Sequence, residues 1–376
     1  MTIPTLAELT TFRVGGPIRD YLATDDRAAL IDAIKKADEA GTPLLVIGAG
    51  SNLLACDEGF EGLVVKDLRS EIHIEQTPAS TRTQAEPHDP EGPCRATRRV
   101  TASAGTTWDE FVSRTLDEGL SGLEALSGIP GTVGAAPVQN IGAYGHELGE
   151  TLLEVRVWDR HMKQETTLGA EELAFGYRES IIKRSIHTGD ENGKLWGPSG
   201  RWIVLEATFL LEVSPLSSPV LYRELANRLG IEQGERAEAR IVRDTVLALR
   251  RTKGMVLDPE DHDSWSAGSF FTNPILSAQA AELLPAEAPR FPTADGRVKT
   301  SAAWLIDHAG FPKGYSIPGA REDGAALSGK HVLALTNRGQ ASAAEVVELA
   351  LKVREEVEER FGVHLVPEPL ALGITW

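Results

Sequence analysis

The sequence predicts an α+β fold divided into more than one domain, and three observations carry that reading. A chain of 376 residues has room for two or three domains at roughly 100–200 residues each. Its first third alternates helical and strand periodicities. A Gly-rich turn that follows one strand, Gly48-Ala49-Gly50-Ser51-Asn52, leads into another strand instead of a helix.

From Asp25 to Ala40, Leu30, Ile31, Ile34 and Ala37 recur at helical spacing, with Thr24 as the expected N-cap and Gly41 just past the end. Leu44-Leu45-Val46-Ile47 reads as a short buried strand, and Gly62-Leu63-Val64-Val65 as the strand beyond the turn. Residues 79–98, rich in Pro, Thr and charge, read as an exposed insertion. A strand over Val100–Ala104 precedes Thr107-Trp108-Asp109-Glu110, which has the spacing of a capping box. Trp108, Phe111, Val112 and Leu116 give the helix behind it one apolar face, and Gly119 ends it. Seven glycines and two prolines then crowd residues 122–149, which predicts looped backbone able to approach a ligand closely. Strands are expected over Leu152–Trp158 and Ile203–Glu212, with a polar loop at 184–201 between them. Helical patterns follow at Ala237–Arg251 and Ser301–Ala309. Ser342 and Glu345 form a second capping box, for a helix with Val346, Leu349, Val353, Val357 and Phe361 on one face. A strand is expected from His364 to the end.

Composition narrows the function. With 38 Lys and Arg against 55 Asp and Glu, the net charge is −17, and no basic block offers a footprint for nucleic acid. An anionic ligand must therefore be met by a local basic pocket. Cys56 and Cys94 are the only cysteines, which gives neither a disulfide framework nor a zinc site, and no metal is expected. Met1 to Phe12 lacks a secretory pattern and no apolar run of 18 residues occurs, so a cytoplasmic protein without membrane insertion is expected.

The turn at 48–52 presents several backbone N–H groups to one point, which suits a phosphate or pyrophosphate. It is not a Rossmann turn, because Leu53 stands where the third glycine belongs and a strand follows. By itself it is also readable as a tight turn with no ligand. A second Gly-rich stretch, Ser127-Gly128-Ile129-Pro130-Gly131-Thr132-Val133-Gly134 leading to Gln139-Asn140-Ile141-Gly142-Ala143-Tyr144-Gly145, makes a pair of loops able to cradle an extended dinucleotide.

These residues resemble the UDP-N-acetylenolpyruvoylglucosamine reductases. The resemblance begins at Thr10-Thr11-Phe12-Arg13-Val14-Gly15-Gly16 and takes in both Gly-rich stretches. It continues through Phe175-Gly176-Tyr177-Arg178-Glu179-Ser180, Ala267-Gly268-Ser269-Phe270-Phe271 and Val366-Pro367-Glu368-Pro369. It implies non-covalent FAD, NADPH as reductant and a flavin-binding fold of the vanillyl-alcohol-oxidase type. The expected division is residues 1–70 as a first FAD-binding subdomain, rejoined by a strand at 364–376, then 71–215 as a second and 216–363 as a substrate-binding domain. The family's flavin contacts fall here on Gly48, Ala49, Gly50, Ser51, Asn52 and Leu53, and on Ser127, Gly128, Ile129, Pro130, Thr132, Val133, Ala135, Gln139, Asn140, Gly142 and Ala143. A monomer is expected.

The chemistry of reducing an enolpyruvyl ether defines what else to seek. Hydride adds to C3 of the enolpyruvyl group, passing from NADPH by way of flavin N5, and charge moves onto C2 and its carboxylate. A cation, a polarising group and a proton donor are needed. By the resemblance Arg178 is the cation, Ser269 the donor to C2 and Glu368 the carboxyl that stabilises the charge. Alone, these residues would read as a surface ion-pair arginine, a helix-capping hydroxyl and a surface acid. Tyr177, Lys253 and Asn273 match substrate- or nicotinamide-contacting positions, and His308 is a candidate of the same kind beside a helix-surface alternative. Arg250 and Lys299 are further candidates for diphosphate charge. Val366 stands where some relatives carry a second Glu. The stretch after Arg178 looks like the family's long-loop form, in which a Tyr covers the uridine. No Tyr lies between 181 and 201, which leaves Trp196 as the aromatic able to stack there.

Overall fold

The computed structural model describes residues 2–76 and 96–376. The insertion expected at 79–98 lies outside the described residues up to position 95, as does Cys94, whereas Thr97 and Arg98 open the strand Thr97–Ser103. The fold is α+β. Backbone proximity divides it into two units: Met1–Arg19, Gly50–Phe60 and Thr252–Trp376 form one, and Asp20–Ala49 with Glu61–Arg251 form the other.

A three-stranded sheet, all but its first residues in the second unit, runs in the order Ile18–Thr24, Phe60–Asp67, Leu44–Ile47, with the last two strands parallel. The helix Arg27–Ala40 lays Leu30, Ile31, Ile34 and Ala37 against Leu44, Val65 and Leu205. Its N-cap is Asp26 and not Thr24. The Asp26 carboxylate accepts from the N–H groups of Ala28 and Ala29 at 2.7 and 3.4 Å, and Thr24 Oγ1 accepts from Asp26 N one step earlier. An ionised carboxylate also suits the positive end of the helix better than a hydroxyl.

A larger antiparallel sheet follows in the order Gln164–Gly169, Leu152–Asp159, Trp202–Val213, Thr97–Ser103, Ile72–Ile74. The helix Trp108–Asp117 covers it, with the Trp108, Phe111 and Phe209 rings 4.9–6.1 Å apart. The capping box expected from Thr107 and Glu110 does not form; Thr107 is the N-cap, yet its side chain makes no capping bond. The first helical N–H is satisfied by the neighbouring loop, with Trp108 N donating to Gly131 O at 3.1 Å. The segment expected as a loop from 184 begins inside a helix, Ile181–His187, capped by Ser180 Oγ. Trp196 does not stand ready to stack. It is 6% exposed, donates to Asp190 at 2.9 Å and lies under Lys194 Nζ at 3.4 Å, so it is the small core of its own segment.

In the first unit, the helix Ala343–Phe361 carries the predicted capping box of Ser342 and Glu345. Asp57 adds a second cap, accepting from the N–H groups of Ala343 and Ala344 at 2.8 and 3.0 Å. Val346, Leu349, Val353 and Val357 are buried with Phe12, Phe270 and Phe271, while Phe361 packs at the margin. The terminal strand is shorter than expected and spans only Leu370–Leu372, parallel to Leu53–Ala55. Pro367 and Pro369 have no N–H to give a ladder, so residues 364–369 pair only at single points.

Candidate functional site

Gly48 and Ala49 leave the strand Leu44–Ile47 half-buried. A Cβ on Gly48 would lie 2.7 Å from Thr132 Oγ1, so the absence of a side chain is what lets the turn meet the second Gly-rich loop. Gly50 has φ +61°, and a Cβ there would stand 2.2 Å from Leu9 O and 2.7 Å from Thr10 Cα. Its glycine is therefore demanded by the chain's own packing before any ligand is considered. Ser51 and Asn52 are half-buried. Asn52 Nδ2 donates to Glu368 O at 3.4 Å, and Asn52 O accepts from Leu370 N at 2.9 Å, which ties the turn to the C-terminal segment. Leu53 begins the strand that pairs with Leu370.

The second loop is braced from the helix beside it. Trp108 Nε1 donates to Leu126 O at 2.9 Å, Gly128 N donates to Asp109 Oδ1 at 2.6 Å, and Val133 N donates to Thr106 O at 2.9 Å. Arg243 forks onto the same Asp109 carboxylate at 2.6 and 2.8 Å. Burial opposes the Asp109 charge, yet the Arg243 guanidinium and the Gly128 N–H hold its carboxyl below the usual carboxylate range. Ser127 is fully buried and its hydroxyl donates to Glu124 O at 2.7 Å. Ile129, Pro130, Thr132 and Gln139 are half-buried and Ala135 is exposed. Asn140 has φ +47° and spends its side chain within the protein: Nδ2 donates to Glu147 Oε2 and Gly176 O at 2.7 and 3.2 Å, and Oδ1 accepts from Gly149 N at 3.0 Å. What Asn140 can offer a ligand is main chain. Gly142 and Ala143 pair with His146 and Glu147 in a small hairpin.

Arg178 belongs to the same unit. Its backbone has φ +56°, a conformation that costs an L-residue roughly 1–2 kcal/mol. Nη2 donates to Gly142 O at 2.7 Å and Nη1 to Asn140 O at 3.4 Å, with Glu147 Oε1 at 4.0 Å and the Tyr177 ring at 5.2 Å. A Cβ on Gly142 would be 2.9 Å from Nη1. The guanidinium is thus fixed in direction against the second Gly-rich loop. Tyr177 is half-buried.

Ser269 and Glu368 are brought together in the other unit. Glu368 N donates to Phe270 O at 2.8 Å, Phe271 bridges Pro367, and Thr272 N donates to Val366 O at 3.0 Å. Ser269 and Glu368 are both half-buried, and Phe270 and Phe271 are fully buried. Among the described residues, nothing is hydrogen-bonded to the Ser269 hydroxyl. Asn273 Oδ1 accepts from Ala302 N at 3.0 Å, so half of its amide caps the helix Ala302–His308. Lys253 is half-buried. His308 is exposed, stacked on Trp304 at 3.9 Å and bonded through Nδ1 to Trp304 O.

The residue that sequence reading passed over is Tyr144, with φ +53°, its ring edge-on to Tyr222 at 5.6 Å. Burial pushes its phenol up to about 12, against the nearby Arg250 charge. Arg250 is itself buried, and burial pulls its guanidinium down to about 10. An aromatic within the Gly-rich stretch Gly142-Ala143-Tyr144-Gly145 was the available signal. No group of three His, Cys, Asp or Glu among the described residues could hold a metal. For FAD the donor set fits. The turn is small, lacks carboxylates and is rich in main chain, and Gly48 carries no side chain of its own at the Thr132 approach.

Comparison with known proteins agrees with that chemistry. Residues 21–165 match a family model described as an FAD binding domain, and residues 258–372 match the UDP-N-acetylenolpyruvoylglucosamine reductase C-terminal domain. The chain is 47% identical to the UDP-N-acetylenolpyruvoylglucosamine reductase of Thermobifida fusca, over 98% of this chain and 97% of that one. It is 45% identical to that of Cutibacterium acnes, over 98% and 89%. The solved UDP-N-acetylenolpyruvylglucosamine reductase of Thermus caldophilus superposes with a TM-score of 0.59 at 26% identity, covering 98% of this chain and 97% of that one. The chain belongs to the UDP-N-acetylenolpyruvoylglucosamine reductase family.

Proposed function

We propose that this protein is the NADPH-dependent flavoenzyme that reduces UDP-N-acetylglucosamine enolpyruvate to UDP-N-acetylmuramate for peptidoglycan synthesis. FAD, when bound, supplies the two-electron chemistry that accepts hydride from NADPH and returns it to the substrate. The two Gly-rich loops hold it, with Gly48 to Leu53 at the pyrophosphate. The C-terminal strand that pairs Leu370–Leu372 with Leu53–Ala55 supports residues 364–376 as part of the flavin-binding portion. Residues 1–70 and 71–215 form that portion, and 216–363 take the substrate.

Hydride addition at C3 of the enolpyruvyl group leaves charge on C2 and its carboxylate. Arg178 meets the carboxylate with its cationic, planar fork. Glu368, in its protonated form, donates a hydrogen bond to the same charge, and Ser269 gives its proton to C2. Tyr177, Lys253, Asn273 and His308 position the nucleotide portion. One observation carries this reading: the Glu368–Phe270 bond sets a carboxyl and an uncommitted hydroxyl on adjoining strands of backbone. No helix among the described residues is long and apolar enough to cross a membrane; a nucleotide substrate and NADPH support a cytoplasmic reaction. The net charge of −17 disfavours self-association and supports a monomer.

The test is anaerobic. NADPH should bleach the visible flavin band of the purified holoprotein, and mixing with the enolpyruvyl substrate should restore it with one UDP-N-acetylmuramate per flavin. A reduced flavin that ignores the substrate would overturn the assignment.

A further inference from the structure

The segment Thr10-Thr11-Phe12-Arg13 takes no part in the chemistry above, yet it links the two pieces of the site that lie in its unit. Thr11 is 5% exposed. Its N–H donates to Gly50 O at 3.2 Å, and its hydroxyl donates to Ser266 O at 2.7 Å. The hydroxyl also lies 3.5 Å from Gly50 O, and its single proton goes to the shorter contact. One buried residue therefore joins the turn assigned to the flavin pyrophosphate to the loop that carries Ser269.

The path onward is short. Ser266 Oγ accepts from Gly268 N at 3.1 Å, and beyond Ser269 the N–H of Phe270 is held by Leu333 O at 2.7 Å. The Ser269 hydroxyl has no bond of its own within the described residues, so its aim is set by this backbone. Thr11 is itself fixed, because Asn337 Nδ2 donates to the carbonyls of Phe12 and Arg13 at 3.1 and 3.2 Å.

We propose that Thr11 is a positioning residue whose hydroxyl holds the Ser269 loop in place against the flavin turn. The proposal rests on Ser269 being the proton donor. A buried threonine with a purely structural role would weaken every property of the holoenzyme alike; a positioning role is confined to the step that needs Ser269.

FAD-loaded Thr11→Val and Thr11→Ser are compared with wild type, alone and in a Ser269→Ala background. Thr11→Val should leave the FAD dissociation constant and flavin reduction by NADPH within about threefold, and slow reoxidation by substrate about tenfold or more. Thr11→Ser should recover most of that loss. In the Ser269→Ala background Thr11→Val should cost little further, because the group it aims is gone. Equal slowing in both backgrounds, or wild-type reoxidation by Thr11→Val beside a slow Ser269→Ala, overturns the role of Thr11 alone. Wild-type reoxidation by Ser269→Ala overturns the donor assignment and this role with it. Thr11→Cys, a weak donor of similar volume, goes through the same cycle in case the Val variant does not load FAD. Unimpaired reoxidation by the Cys variant counts against the proposal.

Discussion

The main-chain N–H of Glu368 donates to the carbonyl oxygen of Phe270 at 2.8 Å. That single bond sets the Glu368 backbone beside the residue that follows Ser269, across nearly a hundred residues of intervening chain. Glu368 is assigned a protonated, donating role, which an amide can imitate and a methyl cannot. Glu368→Gln should therefore keep reoxidation of the reduced flavin by substrate within about tenfold of wild type, while Glu368→Ala loses about 100- to 1,000-fold. Rapid-mixing rates of the two variants check this. Equal losses would mean that the carboxyl's own proton is consumed.

Arg178 braces the second loop and is proposed to meet the substrate, and the two tasks separate by substitution. Arg178→Lys keeps a positive charge but loses the planar fork that meets Gly142 O. Stability should fall by about 1 kcal/mol, the worth of one hydrogen bond. The substrate half-reaction should slow by roughly 100-fold or more, as for loss of one preorganised stabiliser. Denaturant titration and single-turnover rates measured side by side test the division.

Two glycines of the first turn should behave differently. A methyl at Gly48 meets the end of the Thr132 side chain, whereas a methyl at Gly50 meets the Leu9 carbonyl and needs φ +61°. Gly48→Ala should weaken FAD binding and lower the thermal midpoint less than the change at Gly50 does. Gly50→Ala should lower the midpoint outright, by several kcal/mol of strain and overlap. Thermal melts of the apoproteins, together with FAD titrations, distinguish the two.

His146 lends the second loop a pH dependence. Burial disfavours its charge, but Glu150 Oε2 at 2.7 Å and Pro219 O at 2.8 Å take both ring nitrogens as donors, and together with the Glu150 charge they raise its pKa. A raised folded value means that the stabilisation is whole below the ordinary imidazole value of about 6.5 and disappears as pH rises through the folded one. The thermal midpoint of wild type minus that of His146→Gln should narrow as pH is raised from about 6 to about 8. A gap that stays constant would place the proton elsewhere.

How much of this was legible beforehand follows the range of the interactions. Leu30, Ile31, Ile34 and Ala37 announced their helix because a 3.6-residue period is local, and Ser342 with Glu345 announced a cap for the same reason. The Thr107 box did not form although its spacing was right: the Thr107 side chain makes no capping bond, and the Trp108 N–H goes to a loop carbonyl, Gly131 O, which nothing in the local pattern carries. The terminal strand was overextended because Pro367 and Pro369, which have no N–H to give a ladder, were not weighed against it. Arg178, Ser269 and Glu368 were recognisable only through their motifs; the bond that joins two of their segments is long-range and belongs to the structure. Trp196 shows the converse. Its chemistry suited stacking, but Asp190 had already claimed its indole N–H.

The proton donor is the most exposed claim, and the two half-reactions isolate it. Reduction of the flavin by NADPH delivers no proton to carbon, so Ser269→Ala should carry out that step at close to the wild-type rate. Reoxidation by the enolpyruvyl substrate must protonate C2, so in the same variant it should fall by about 1,000-fold or more. Ser269→Cys, of similar size and more acidic, should recover much of what alanine loses. Stopped-flow reoxidation of NADPH-reduced Ser269→Ala by UDP-N-acetylglucosamine enolpyruvate is the direct measurement. A steep loss confined to this step is the predicted result, and reoxidation at the wild-type rate would contradict it.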